Sequence, residues 1–224
     1  MAEEVRPGTC VVAVDGPSGS GKSTVSRRLA TALEGVYLDT GAMYRAVTWA
    51  VLQAGADLTD QESIAKIAVE TELVIGTDPA APHFTANGVD VDGPIRGPEV
   101  TGAVSAVAAV PAVRKHLVAL QQDIISSHPR IVVEGRDIAS VVAPDADLKV
   151  FLTASPAARA QRRSQEDATD VAATEADLAR RDRLDSSRAT DPLRQAGDAI
   201  EVDTTGMGID EVVAYVLGLL QVRQ

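Results

Sequence analysis

The stretch Gly16-Pro17-Ser18-Gly19-Ser20-Gly21-Lys22-Ser23 constrains this chain more than any other. It follows an apolar run, Cys10-Val11-Val12-Ala13-Val14, and opens a helical pattern over 22–33 with Val25, Leu29, Ala32 and Leu33 at three- and four-residue spacing. A Gly-x-x-x-x-Gly-Lys-Ser sequence between a buried strand and a helix is a phosphate loop. Its glycines permit tight turns that aim backbone N–H groups at phosphate oxygens, and the helix adds its positive N-terminal end. Lys22 is expected to reach the β- and γ-phosphates of a nucleoside triphosphate, foremost ATP, and the Ser23 hydroxyl to ligate Mg²⁺.

Such a loop requires a parallel sheet around it. Further apolar runs occur at Val36-Tyr37-Leu38, Ile131-Val132-Val133, Leu148-Lys149-Val150-Phe151-Leu152 and Ala199-Ile200-Glu201-Val202. Helical patterns alternate with them. One spans 41–54 (Met43, Val47, Ala50, Val51, Ala54) and another 111–126 (Val113, Leu117, Leu120, Ile124, Ile125). The last spans about 208–222 (Ile209, Val212, Val213, Val216, Leu219, Leu220). Short unbroken apolar strands alternating with amphipathic helices predict a doubly wound α/β fold on a mostly parallel five-stranded sheet. Residues 71–97 differ. Glu72-Leu73-Val74-Ile75 and His83 to Val91, with Asn87-Gly88 as a hairpin turn, predict a small antiparallel sheet. Residues 164–194 are polar and arginine-rich, which predicts a solvated helical excursion. The expected organisation is a core of 1–62 and 98–224, a small β insert at 63–97, and a helical lid at about 157–190.

The 224 residues suit one such domain with small appendages. A net charge of -11 argues against nucleic acid as a bulk partner, while a small anion remains accessible to arginines gathered locally. The single cysteine, Cys10, excludes an intramolecular disulfide, reads as a packing residue, and suits a reducing cytoplasm. His83, His116 and His128 lie far apart and read as surface or satisfied histidines, not metal ligands. No apolar stretch is long enough to span a membrane, and residues 1–8 carry no signal-peptide pattern.

Two polar clusters follow strands, where ligands of open α/β sheets bind, and a third lies in the helical excursion. The first is Asp39-Thr40-Gly41-Ala42-Met43-Tyr44-Arg45, placing Arg45 within reach of a phosphate facing the loop. The second is Glu134-Gly135-Arg136-Asp137, in which Arg136 offers a fork of donors suited to phosphate. The third is Arg180 to Arg188, where Arg181, Asp185 and Arg188 are spaced to share a helix face, with Arg159 and Arg163 one turn apart upstream. Taken singly, each also reads as an exposed arginine, a structural Arg–Asp pair, or a helix laced with ion pairs. Beside a phosphate loop, cations closing over a phosphoryl group are the better reading. A kinase for some other small acceptor and a GTPase-type switch stay open at this level, although the chain lacks an Asn/Thr-Lys-x-Asp guanine motif.

In combination the motifs resemble the bacterial cytidylate kinases, within the phosphate-loop nucleoside monophosphate kinases. The matching pieces are Asp15 to Thr24, Leu38 to Arg45, Ile95-Arg96 with Glu99-Val100, Ser105 to Arg114, Glu134 to Asp137 and Arg181 to Arg188. The resemblance covers nearly the whole chain. It implies transfer of the γ-phosphoryl group of ATP to CMP or dCMP, with Mg²⁺, by a monomer. Gly16 to Thr24 would hold ATP, joined on the lid side by Arg159 and Arg163. Lys22, Arg136, Arg181 and Arg188 would surround the transferred group. Arg45, Arg136 and Arg188 would hold the acceptor phosphate, and Ser105, Arg114 and Asp137 would read cytosine. Arg181 and Asp185 would contact sugar hydroxyls, and Asp39 would belong to the acceptor site. Ser23 stands where some relatives have Gly, and 165–176 matches no motif.

Overall fold

A computed structural model describes residues 8–223; residues 1–7, where no signal-peptide pattern was expected, lie outside the described residues. The central sheet comprises β1 (Cys10–Asp15), β2 (Val36–Asp39), β6 (Arg130–Gly135), β7 (Leu148–Thr153) and β8 (Ile200–Asp203). All pairings are parallel, in the order β2-β6-β1-β7-β8. A second sheet is antiparallel: β3 (Leu73–Ile75), β4 (Phe84–Ala86) and β5 (Val89–Asp90). Asn87 and Gly88 both have positive φ, as a two-residue type I′ hairpin requires.

Alternation along each buried strand builds two apolar layers. Val12, Val14, Val132, Val150 and Leu152 face α1 (Lys22–Ala32) and α8 (Ile209–Arg223), meeting Val25, Leu29, Val212 and Val216. Ala13, Leu38, Ile131 and Val133 face the opposite way. There they meet Met43 and Val47 of α2 (Thr40–Gln53), Val104 and Val107 of α4 (Pro98–Ala108), and Val113 and Leu117 of α5 (Pro111–Ser126). Ile64 and Ala68 of α3 (Gln61–Glu70), with Phe84 and Ala86 of the small sheet, join this second layer. Helices α3 and α4 go beyond the expected elements; α4 has Pro at its first turn and five small residues, a weak periodic signal. Cys10 is buried in the first layer, as its apolar context implied.

Three expected core positions are not in the core. Ala32 and Ala54 are exposed, because each falls at the fraying last turn of its helix. Ile209, 44% exposed, opens α8 beside the phosphate loop and lines a cavity. The polar excursion is two helices, α6 (Pro156–Asp167) and α7 (Val171–Ser186), packed against each other. Ser155 caps α6, which ends on Ala168 with positive φ, and the Asp170 carboxylate caps α7 by accepting from Ala173 N–H at 2.9 Å. Among the described residues no single helix is long and apolar enough to cross a membrane.

Candidate active site

Every cluster flagged by the sequence sits at the carboxyl edge of the parallel sheet. The chain runs from β1 to β2 and β6 on one side, then to β7 and β8 on the other, so the loops diverge there. The phosphate loop occupies the opening. At Gly16 (φ 148°) a Cβ would collide with the Leu152 carbonyl, and at Gly19 (φ 76°) it would lie 3.1 Å from the Arg159 carbonyl. Side chains are excluded at both places and the loop backbone is left bare. Lys22 is buried and its Nζ donates to the Pro17 carbonyl at 2.7 Å, folding the ammonium back over the loop. Burial, reinforced by Arg136, lowers the Lys22 pKa, against the opposing pull of Glu134, Asp15 and Asp182. A phosphate at the loop would relieve that strain on the charge.

The loop is braced from outside. Arg159 Nη1 donates to the Ser18 carbonyl at 3.0 Å and pairs with Asp182 of α7 at 2.5 Å, while Asp182 also accepts from Ser18 N–H at 3.4 Å. Arg159 thus sits behind the loop, and the lid helices touch the donor site through it. Asp15, closing β1, accepts from the N–H groups of Ile138 and Ala139 at 2.9 and 2.8 Å and fixes the turn after Asp137. Glu134, next to last in β6, is buried and accepts from the Tyr37 hydroxyl, with the Ser23 hydroxyl against both. Burial and the neighbouring Asp39 raise the Glu134 pKa.

Two chambers meet here. The larger, about 580 Å³, is lined by Ser18 to Val25, Asp39, Glu134 and Arg163. Its far wall is Arg162, Thr204, Met207, Ile209 and Val212. The smaller, about 80 Å³, is lined by Tyr44, Ser105, Arg114, Asp137, Asp185 and Arg188 among others. Arg45, Arg136 and Arg181 line both. These three come from α2, the end of β6 and α7, and they stand at the junction. Arg136 Nε donates to Asp185 at 3.0 Å, and Arg45 Nη1 to the Ile95 carbonyl at 2.7 Å and to Thr101 at 3.0 Å. Burial lowers the pKa of Arg45, Arg181 and Arg188, and mutual repulsion among the arginines adds to it. Among the described residues, Arg181 Nε and Arg188 Nη2 are buried with no hydrogen-bond partner. Buried guanidinium donors left unsatisfied around a cavity mark a place built for an anion.

In the small chamber Arg114, only 1% exposed, donates from Nη2 to Asp137 and from Nε to Asp191 at 2.9 Å, with the Tyr44 ring 5.6 Å below the guanidinium. Burial opposes its charge, but Tyr44, Asp137 and Asp191 outweigh that and the Arg114 pKa is raised. Burial raises the Asp137 pKa against the pull of Arg114 and Arg188.

Of the residues singled out in the sequence, Ser18 to Thr24 line the donor chamber, whereas Gly16 and Pro17 shape it without lining it. Asp39 caps α2 by accepting from Ala42 N–H at 2.8 Å and faces the large chamber, not the small one. Arg163 pairs with Glu166 at 3.2 Å and acts electrostatically on Arg45 and Arg181, so it lies nearer the junction than its turn-mate Arg159. The shared helix face expected for Arg181, Asp185 and Arg188 needs correction. Arg181 and Asp185 are on the buried face of α7, but that helix ends at Ser186. Arg188 reaches the chamber from the turn beyond, its Nε donating to the Asp185 carbonyl at 3.2 Å. Asp15, Tyr37, Glu134, Asp182 and Asp191 went unassigned. Asp15 and Glu134 each directly follow an apolar run, a signal that could have flagged them; the others are recruited from afar.

The family model described as cytidylate kinase matches residues 12–222. A curated cytidylate kinase of Nocardia farcinica is 57% identical over 208 residues, 91% of this chain and 90% of that protein. One of Rhodococcus jostii is 54% identical over 218 residues, 95% of each. Among solved structures, a gluconokinase from Sinorhizobium meliloti aligns with a TM-score of 0.53 at 17% identity, over 96% of this chain and 94% of that one, a likeness of fold. The two-chamber site therefore sits in a chain that matches cytidylate kinases across nearly its whole length, and the chain belongs to the cytidylate kinase family.

Proposed function

We propose that the chain transfers the γ-phosphoryl group of ATP directly to the phosphate of CMP or dCMP, giving ADP and CDP or dCDP, across the junction of the two chambers. The observation that carries this reading is the placement of Arg45, Arg136 and Arg181 on both chamber walls, between the phosphate loop and the pocket holding Ser105, Arg114 and Asp137. An acceptor phosphate oxygen is already an anionic nucleophile, so no covalent enzyme intermediate is needed. What the reaction needs is alignment and cations around the developing charge. Lys22 and the loop amides hold the donor phosphates, and Arg136, Arg181 and Arg188 surround the transferred group. Arg45 holds the acceptor phosphate together with Arg136 and Arg188.

Asp137 suits the exocyclic amine of cytosine, since a carboxylate accepts where a carbonyl would repel it; uracil presents the carbonyl. Asp185, already bonded to Arg136, and Arg181 suit the sugar hydroxyls. Ser23, Asp39 and Glu134 gather hard oxygen donors on the wall of the large chamber, which fits Mg²⁺. Bound with ATP there, the ion would neutralise charge on the β- and γ-phosphates. The insert at 63–97 and the lid at about 157–190 would close over both nucleotides and exclude water. The resemblance supports a monomeric, cytoplasmic enzyme.

A coupled assay of ADP release with CMP, dCMP, UMP and AMP tests the acceptor. CMP or dCMP should be preferred, and a preference for UMP or AMP would sink the assignment.

A further inference from the structure

Asp191 is a second ionic partner of Arg114, beside Asp137, that the phosphoryl-transfer machinery does not account for. It lies beyond the end of α7 with φ 48°, a left-handed backbone that Asp tolerates better than most residues. The surrounding turn is folded onto α7: Leu193 N–H donates to the Asp185 carbonyl at 2.9 Å, and Arg188 Nε donates to the same carbonyl. Asp191 is thereby tied to the segment that carries Arg181, Asp185 and Arg188. From there it spans 77 residues of sequence to Arg114 Nε.

We propose that Asp191 is a positioning residue for recognition of the acceptor base, acting by orienting Arg114. A guanidinium has five N–H donors in a fixed plane. Asp191 takes Nε, Asp137 Oδ2 takes Nη2, and the Ala108 carbonyl lies 3.5 Å from Nη1. One hydrogen on each terminal nitrogen is then left for a ligand, and so is the second oxygen of Asp137. That set of donors and one acceptor complements the amidine edge of cytosine. The Tyr44 ring closes one face of the guanidinium, and the ion pairs steer its edge. Without Asp191 the guanidinium keeps Asp137 as its ionic partner and is free to chelate it with two nitrogens, which would consume the oxygen meant for the amine. Because Asp191 follows the lid helix, Arg114 of the base pocket is tied to the segment that carries Arg181 and Arg188.

This inference rests on the reading of Arg114 and Asp137 as base-recognising groups, and its test separates the two. Steady-state kinetics with CMP and UMP would be measured for Asp191→Ala, Asp191→Asn and Asp137→Ala, with melting temperatures alongside. Asp191→Ala should raise the KM for CMP about tenfold, the scale of one charge-assisted hydrogen bond, and narrow the CMP-over-UMP preference. Its kcat and its KM for ATP should stay within about threefold. Asp191→Asn, which can still accept from Nε, should recover most of the loss, and it carries the test if the Ala variant does not fold. An unchanged KM for CMP in Asp191→Ala, or an equal rise in the KM for ATP, would overturn the inference. If Asp137→Ala leaves the CMP-over-UMP preference intact, the base-site reading itself fails and the role of Asp191 falls with it. If Asp137→Ala narrows the preference while both Asp191 variants behave as wild type, only the role of Asp191 fails.

Discussion

The donor and acceptor chambers share a wall but are made in opposite ways. The donor side is nine consecutive residues, Gly16 to Thr24, whose function rests on bare backbone and one helix N-terminus. The acceptor side is a ring of side chains from α2, α4, α5, the end of β6 and α7 with the turn after it, held by ion pairs such as Arg114–Asp137 and Arg136–Asp185. A site of contiguous backbone is fixed by local geometry. A site of long side chains is fixed only when the whole fold brings its partners together, and it can be retuned one residue at a time. That difference teaches where specificity resides: the loop supplies phosphate binding common to many chemistries, and the assembled ring selects the acceptor.

The largest expected effect is at Lys22, the phosphate-loop side chain that carries a cation to the donor phosphates. Lys22→Ala should lower kcat by about 10³ with little change in melting temperature, because it removes a preorganised cation from the developing charge. Activity within tenfold of wild type would break the view that the donor site tolerates no loss. On the acceptor side, Arg188 has a buried Nη2 with no hydrogen-bond partner among the described residues, poised for a ligand. Arg188→Ala should cut kcat/KM for CMP about 10²-fold, with the KM for ATP nearly unchanged, and Arg188→Lys should restore little of it. Equal effects on both substrates would show that the two chambers are not separable.

The same contrast explains what could be read from the sequence. The loop and the five strands were legible because each is a contiguous signal: apolar runs, glycine spacing, a helix pattern. The hairpin at Asn87-Gly88 was legible for the same reason. Ile209 was placed in the core because its spacing fits α8, but periodicity does not say that a helix starts at the rim of a cavity. Tyr37 with Glu134, Arg159 with Asp182 and Arg114 with Asp191 leave no local trace, since the partners are 97, 23 and 77 residues apart. The arginines of the acceptor ring stood out as clusters, but Ser105 and Arg114 were reachable only through resemblance to a family, and the helix break that moves Arg188 off α7 was invisible in a spacing that fits one helix face.

Asp15 belongs to both sides, since it ends the strand that leads into the loop and fixes the turn that follows Asp137. Burial, partly offset by the amides of Ala139 and Ile138, pushes its carboxyl up to about 6 from 3.8. A carboxyl with a raised folded-state pKa binds more protons folded than unfolded in that interval. Its contribution to stability is therefore present below 3.8 and lost as pH rises through about 6. Between pH 4 and 7 this amounts to on the order of 2 kcal/mol. Urea denaturation of wild type and Asp15→Asn at both pH values should show the difference between them shrinking or reversing toward neutral pH. Parallel pH dependence in the two proteins would remove Asp15 as a titrating link.

The smallest expected effect concerns how the halves are fastened. Arg27 of α1, the helix of the phosphate loop, donates from Nε to the Pro79 carbonyl at 2.6 Å and from Nη2 to the Ala80 carbonyl at 2.8 Å, in the loop joining β3 to β4. The same loop places the Thr77 carbonyl 2.9 Å from Tyr37 N–H, capping the outer edge of β2 with a single backbone bond. The small sheet is thus anchored to the donor half by two hydrogen bonds from one partly buried guanidinium and one from the sheet edge. Arg27→Ala should cost about 1 kcal/mol, a fall of roughly 2–4 °C in melting temperature for a domain of this size. The KM for CMP should rise by no more than about twofold and the KM for ATP should not move, because Arg27 faces neither chamber. An unchanged melting temperature would mean that the edge bond and the packing of Phe84 and Ala86 hold the insert without help from α1. A rise in the KM for ATP would mean instead that the insert loop sets the pose of the phosphate-loop helix, making the donor site less self-contained than its nine-residue sequence suggests.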